Sequence, residues 1–215
     1  MIYMFKQTAK KAMYLATGGL LGQGIVKKIV SRDQYTTSAR DILDEMGDLK
    51  IKKLYIKRTP LSSTVKMALD AFSLGDFSKK MKQQSIDELY HLRIDAELEN
   101  GKRYTVEKNS VITLTRRPKT TDNTQSLLVD VPAGTTVNML LDKTQKKMGN
   151  KYFLYSAKNN NCSDFILALL VANGLVDAEN RAFVKIETDK LFTNTFRRLT
   201  NTITDVAGGV ENVIT

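Results

Sequence analysis

The chain has 215 residues, 33 Lys and Arg against 23 Asp and Glu, a net charge of +10, one Cys, one His and no Trp. At 42% hydrophobic content it can bury a core unaided; a lone Cys excludes an intramolecular disulfide, and one Cys with one His cannot build the usual structural zinc site, so no metal or cofactor is expected. The charge calls for an anionic partner, but the basic residues are dispersed and no nucleic-acid motif occurs, which argues against DNA or RNA.

Residues 1–50 read as a basic N-terminal extension. Its first part carries Lys6, Lys10, Lys11, Lys27, Lys28 and Arg32 with no acidic residue before Asp33. The apolar stretch from Ala12 to Gly24 is interrupted by Gly18, Gly19 and Gly22, and a spanning helix needs about 20 apolar residues, so this segment is not expected to cross a membrane. It suits a position on an anionic membrane surface or a targeting role, and equally a helix packed on the domain or a mobile arm. A short polar helix is expected over Asp33–Asp48.

From residue 51 to 186 the pattern is that of one mixed domain. A basic strand is expected over Ile51–Arg58, broken by Thr59-Pro60. Val65, Met67, Leu69 and Phe72 have helical spacing, and Lys79–Gln84 reads as a polar connection. His91–Leu98 alternates, with Leu92, Ile94, Ala96 and Leu98 on one face and His91, Arg93, Asp95 and Glu97 on the other. Glu99-Asn100-Gly101 signals a hairpin, returning over Arg103–Val111. A two-residue turn would mismatch the apolar faces. A three-residue loop with Gly101 left-handed places Leu98 opposite Tyr104 and Ala96 opposite Val106. That register sets Asn109 opposite Arg93, diagonal to His91 and within side-chain reach, with Glu107 on the same face one step further away.

Another strand is expected over Leu127–Val131, and a helix capped by Thr135 or Thr136 and closed by Gly149. Asn159-Asn160-Asn161 then favours a turn, and Cys162 opens a run, Phe165–Val171, too apolar for a surface helix, with Gly174 suited to the left-handed position that ends it. Ala182–Ile186 forms a strand or a helix start. Residues 187–215 read as an amphipathic tail through Leu191, Phe192, Phe196, Leu199 and Ile203, which packs on the domain or meets a membrane or partner.

A thiol at the start of a helix faces unpaired N–H groups and the positive end of the helix dipole, which favour the thiolate. The plain alternative is a small buried Cys that fills space. A cysteine nucleophile needs a base and a group that orients the base, and Cys162, His91 and Asn109 supply the three parts, with Glu107 as the other candidate for the third. The N–H of Cys162 is a natural oxyanion donor.

The order of these features, a strand beginning with His91, a hairpin, a helix, and Asn161-Cys162-Ser163-Asp164-Phe165 opening an apolar helix, resembles the circularly permuted papain-like superfamily. That group includes permuted NlpC-type hydrolases, the lecithin:retinol acyltransferase group and viral members, and the resemblance spans Tyr90–Leu175. It implies an α+β fold, a permuted papain-like core in which an antiparallel sheet packs on the helix carrying the Cys, with helical extensions at both ends. It implies a thiol hydrolase or cysteine protease that cleaves an amide or ester through an acyl-enzyme on Cys162, with a peptide or lipid as substrate. The alternatives are a lipid acyltransferase or phospholipase of the same superfamily, and a non-catalytic viral structural or membrane adaptor. Either a reducing compartment or a virion or membrane periphery fits. The oligomeric state is not encoded in any motif.

Overall fold

Hydrophobic spacing and capping account for each element of the computed structural model, which describes residues 34–62, 66, 76–83, 88–116, 121–156 and 160–185. The basic segment 1–33, most of the helical spacing between Val65 and Phe72, and the tail 187–215 lie outside the described residues. The chain divides into two units, Met1–Tyr35 and Thr36–Thr215, and every described strand and helix belongs to the second. No described helix is long and apolar enough to cross a membrane.

Thr36 caps the first helix, α1 (Thr37–Met46), its hydroxyl accepting from the Ala39 N–H, and Ala39, Ile42, Leu43 and Met46 form one buried stripe. That stripe belongs to the second compact unit, which begins at Thr36. At its end Gly47 lies so close to Asn138 and the Leu43 carbonyl that a Cβ would collide with both. Strand β1 (Ile51–Pro60) runs through the expected break at Thr59-Pro60. Pro60 is the last strand residue, where a missing donor is tolerated. Helix α2 (Asp76–Gln83) replaces the polar connection expected there.

Strands β2 (Tyr90–Leu98) and β3 (Arg103–Lys108) form the hairpin, and β4 (Ile112–Thr115) follows a tight turn in which the Asn109 N–H donates to the Val111 carbonyl. The return strand expected to run to Val111 thus ends at Lys108, and β4 lies beyond the expected stretch. After β5 (Gln125–Val129) come α3 (Val137–Met148), capped by Thr136 and closed by Gly149, a 3-10 turn (Gly149–Lys151), α4 (Cys162–Ala172) and α5 (Ala178–Val184). Asp177 caps α5, so Ala182–Val184 form the end of a helix rather than the strand or helix start expected there, and Ile186 lies outside the described residues.

The fold is α+β. All five strands pair antiparallel in the order β4-β3-β2-β1-β5, so β2 is central. Leu54 and Ile56 of β1, Ile94 and Ala96 of β2, and Tyr104 and Val106 of β3 line up across the ladders and are buried. Helix α4 packs against β2 and β3, and α3 against α4. Each of the buried residues Phe165, Ile166, Leu169 and Leu170 contributes about 2 kcal/mol by leaving water, which holds α4 at one position on the sheet.

The hairpin loop has the expected three residues, with Gly101 left-handed at φ 78°, but Leu98 closes on Lys102 and Ala96 pairs with Tyr104. The register is two residues from the expected one. A three-residue loop Glu99–Gly101 itself sets Leu98 opposite Lys102, whereas Leu98 opposite Tyr104 would leave five residues in the loop; both arrangements keep every side chain on its own face, so loop length and not the apolar pattern decides between them.

Candidate active site

The asparagine turn builds the end of α4 that holds Cys162. The Asn161 side chain accepts from the N–H groups of Ser163 (2.8 Å) and Asp164 (3.2 Å), and Asp164 accepts in return from the Asn161 N–H (3.0 Å), a reciprocal capping box. Cys162 is the first helical residue, and its N–H is not among the donors the cap uses. At the other end Gly174 is left-handed at φ 69° and the Leu175 N–H returns to the Leu170 carbonyl (2.8 Å). Cys162 itself is 9% exposed.

His91 stands near the start of β2, opposite Thr59 of β1, and its ring hydrogen-bonds Cys162. β2–β3 pairing ends at Arg93–Glu107, so Leu92 lies one residue beyond it, and its backbone, with that of Ser163, also favours the thiolate. Burial pushes the thiol up, but the His91 hydrogen bond, the His91 charge and the two backbone groups together hold it below an ordinary thiol. Burial also pulls His91 down. Its hydrogen bonds to Cys162 and Glu107, followed by their charges, outweigh that and raise it to about 10. Both shifts favour the thiolate–imidazolium form of the pair over the neutral one.

Glu107 is the third member that the geometry provides. Its Oε2 lies 3.3 Å from His91 Nε2, and it stands directly across from Arg93, the diagonal position assigned from sequence to Asn109. Asn109 has left the ladder and turns the chain into β4. Beyond Glu107 the same face of the sheet continues as a buried polar cluster. Arg93 donates to Thr59 Oγ1 (3.1 Å) and lies 3.5 Å from Asp95, Thr105 donates to Asp95 (2.7 Å), and Lys57 reaches the other oxygen of Asp95 (3.7 Å). The face expected to be merely polar is therefore buried and internally paired.

Lys108 is a buried lysine near the candidate site that sequence reasoning did not single out. It is 1% exposed and donates to the carbonyls of Lys151 (3.0 Å) and Tyr152 (2.9 Å) and to Asn160 Oδ1 (3.4 Å). Asn160 in turn donates to the carbonyls of Lys151 (2.8 Å) and Leu154 (2.6 Å). The segment that delivers the chain to Asn161 and Cys162 is thus tied to the end of β3. Burial lowers Lys108 to about 8 against the opposing pull of Asp164. Its signal was available: Lys108 continues the apolar register of Tyr104 and Val106. Nothing in the sequence distinguishes Asn160 from its two asparagine neighbours.

Among the described residues no group of three or more His, Cys, Asp or Glu side chains gathers to hold a metal ion. Comparison with family models, with curated proteins and with solved structures finds no match.

Proposed function

We propose that the protein is a cysteine hydrolase of permuted papain-like architecture, cleaving an amide or ester through an acyl-enzyme on Cys162. The observation that carries this reading is the hydrogen-bonded Cys162–His91 pair, with Glu107 3.3 Å from the same ring. The thiolate attacks the substrate carbonyl carbon, and the carbonyl electrons move to oxygen, with the Cys162 N–H at the helix start as donor to that oxyanion. Collapse expels the amine or alkoxide, which takes the proton from imidazolium His91, leaving the acyl group on sulfur and the ring neutral. Water then attacks the thioester carbonyl, His91 accepts its proton, and the acid departs as the thiolate–imidazolium pair re-forms. Glu107 holds the ring in place and stabilises its positive charge in each charged stage. With another hydroxyl or amine in place of water the same steps give acyl transfer.

The test is to incubate the full chain with an activated aryl ester and follow the phenol burst and the intact mass together. A burst matched by one acyl adduct on Cys162, absent in Cys162→Ala and Cys162→Ser, is expected. An ester turned over equally by Cys162→Ala, or a thiol that never acylates, would sink the reading.

A further inference from the structure

The basic residues of the described domain differ in how they are partnered. Lys50, Lys52, Lys57, Lys102, Arg103 and Arg116 each pair with a carboxylate. Lys143, Lys146, Lys147 and Lys151 are exposed and lie within ion-pair distance of no carboxylate among the described residues. The first three occupy positions i, i+3 and i+4 of α3 and so share one face, and Lys151 ends the turn after that helix. A helix C-terminus attracts cations, which accounts for Lys146 and Lys147 in the last turn but not for Lys143 a turn earlier or Lys151 beyond the helix.

Two apolar side chains flank these lysines. Met139, four residues before Lys143 on the same face, is 44% exposed, and Leu154 at 61% is the most exposed large hydrophobic residue of the described domain. The patch also borders the candidate active site. The Asn160 side chain binds the carbonyls of both Lys151 and Leu154, and Asn160 stands two residues before Cys162.

We propose that this face, from α3 through Leu154, docks on an anionic lipid bilayer, the lysines at the headgroups and Leu154 and Met139 in the acyl boundary, so that the Cys162 site opens at the membrane surface. Unpaired lysines with exposed aliphatic side chains before and after them in the chain fit a charged interface with an apolar interior. A nucleic acid would be served by the lysines alone, and Leu154 offers no ring for a base to stack on. The proposal deepens the hydrolase reading by placing its substrates in or at a membrane, and rests on that reading only for the role of the site.

Because the chain has one cysteine, Cys162→Ala with Leu154→Cys carries a single thiol at the patch. This full-length variant, labelled with a polarity-sensitive fluorophore, is mixed with phosphatidylcholine vesicles with and without phosphatidylserine. A blue shift and co-sedimentation with the anionic vesicles alone are expected, both fading as salt rises. Binding should weaken about fivefold for each lysine neutralised, hence roughly a hundredfold in Lys143→Gln/Lys146→Gln/Lys147→Gln. The proposal is overturned if the fluorophore does not shift, if the triple substitution leaves binding unchanged, as when residues 1–32 alone hold the vesicle, or if the chain binds an RNA homopolymer and ignores both vesicles. The catalytic reading is judged separately by acylation of Cys162 without vesicles, so either idea can fail while the other stands.

Discussion

His91 Nε2 and Glu107 Oε2 meet at 3.3 Å across the diagonal of the β2–β3 ladder, and this contact, together with Cys162, makes His91 the charged partner of the thiol. The same ring sits between two anionic groups. Its proton is therefore held well above the usual histidine range, to about 10.

Alkylation reads the state of the thiol directly. In the parent chain the rate of Cys162 alkylation should rise toward its plateau at a lower pH than an ordinary thiol shows, because the thiol titrates below its ordinary range. In His91→Ala the thiol returns to about 8.5 or above, and the rate at about pH 7 drops at least tenfold. Equal rates and equal profiles in the two proteins would remove the coupled pair.

Glu107→Gln and Asn109→Ala separate the two candidates for the third role. A hydrogen bond to a charged partner is worth about 1.5–3 kcal/mol, so Glu107→Gln should slow acylation by ten- to a hundredfold. Without the carboxylate, His91 falls from about 10 toward the ordinary imidazole value, and the alkaline limb of the rate profile moves down with it. Asn109→Ala should stay within about twofold of the parent, since its position in the β3–β4 turn rests on backbone hydrogen bonding. A larger loss at Asn109 would reverse the assignment.

Asn161 tests whether the cap acts on reactivity or only on stability. Asp is as good a cap as Asn, so Asn161→Asp should hold stability to within about 0.5 kcal/mol, while Asn161→Ala costs about 1–2 kcal/mol. The added carboxylate beside the sulfur disfavours the thiolate and should raise the thiol by about one pH unit in the alkylation profile. An unchanged profile in Asn161→Asp would show that the cap carboxylate and the sulfur do not interact.

Lys108 supplies a pH signature. Its folded-state value, about 8, lies below that of an exposed lysine, so above about pH 8 the unfolded chain binds more protons than the folded one. The Lys108 contribution to stability therefore rises with pH through this window, by about 2–3 kcal/mol between neutral pH and about pH 10. Urea unfolding of the parent and of Lys108→Met at both pH values isolates the effect, because all other titrating groups are common to the two. The parent should gain on the variant as pH rises; a constant difference would mean that Lys108 titrates normally.

Local chemistry made much of this protein legible in its sequence. The asparagine turn, the Phe165–Leu170 run and Gly174 specify α4 and put Cys162 at its start, because caps and a left-handed glycine act within a few residues. The alternation of β2 and the loop at Gly101 specify the hairpin, and the scarcity of nucleophiles and bases, one Cys and one His, narrowed the chemistry to that pair. Tertiary structure decided the rest. The apolar pattern is degenerate to a slip of two, and the register that follows from a three-residue loop, Arg93 opposite Glu107, is the one the ladder shows, which puts Glu107 rather than Asn109 beside His91. The burial of Lys108 depends on carbonyls more than forty residues away, and the lowering of the thiol on His91, a residue of a strand that meets Cys162 of a helix some seventy residues later. Such long-range contacts form only when the apolar faces of sheet and helix close on each other, and no local pattern encodes their geometry.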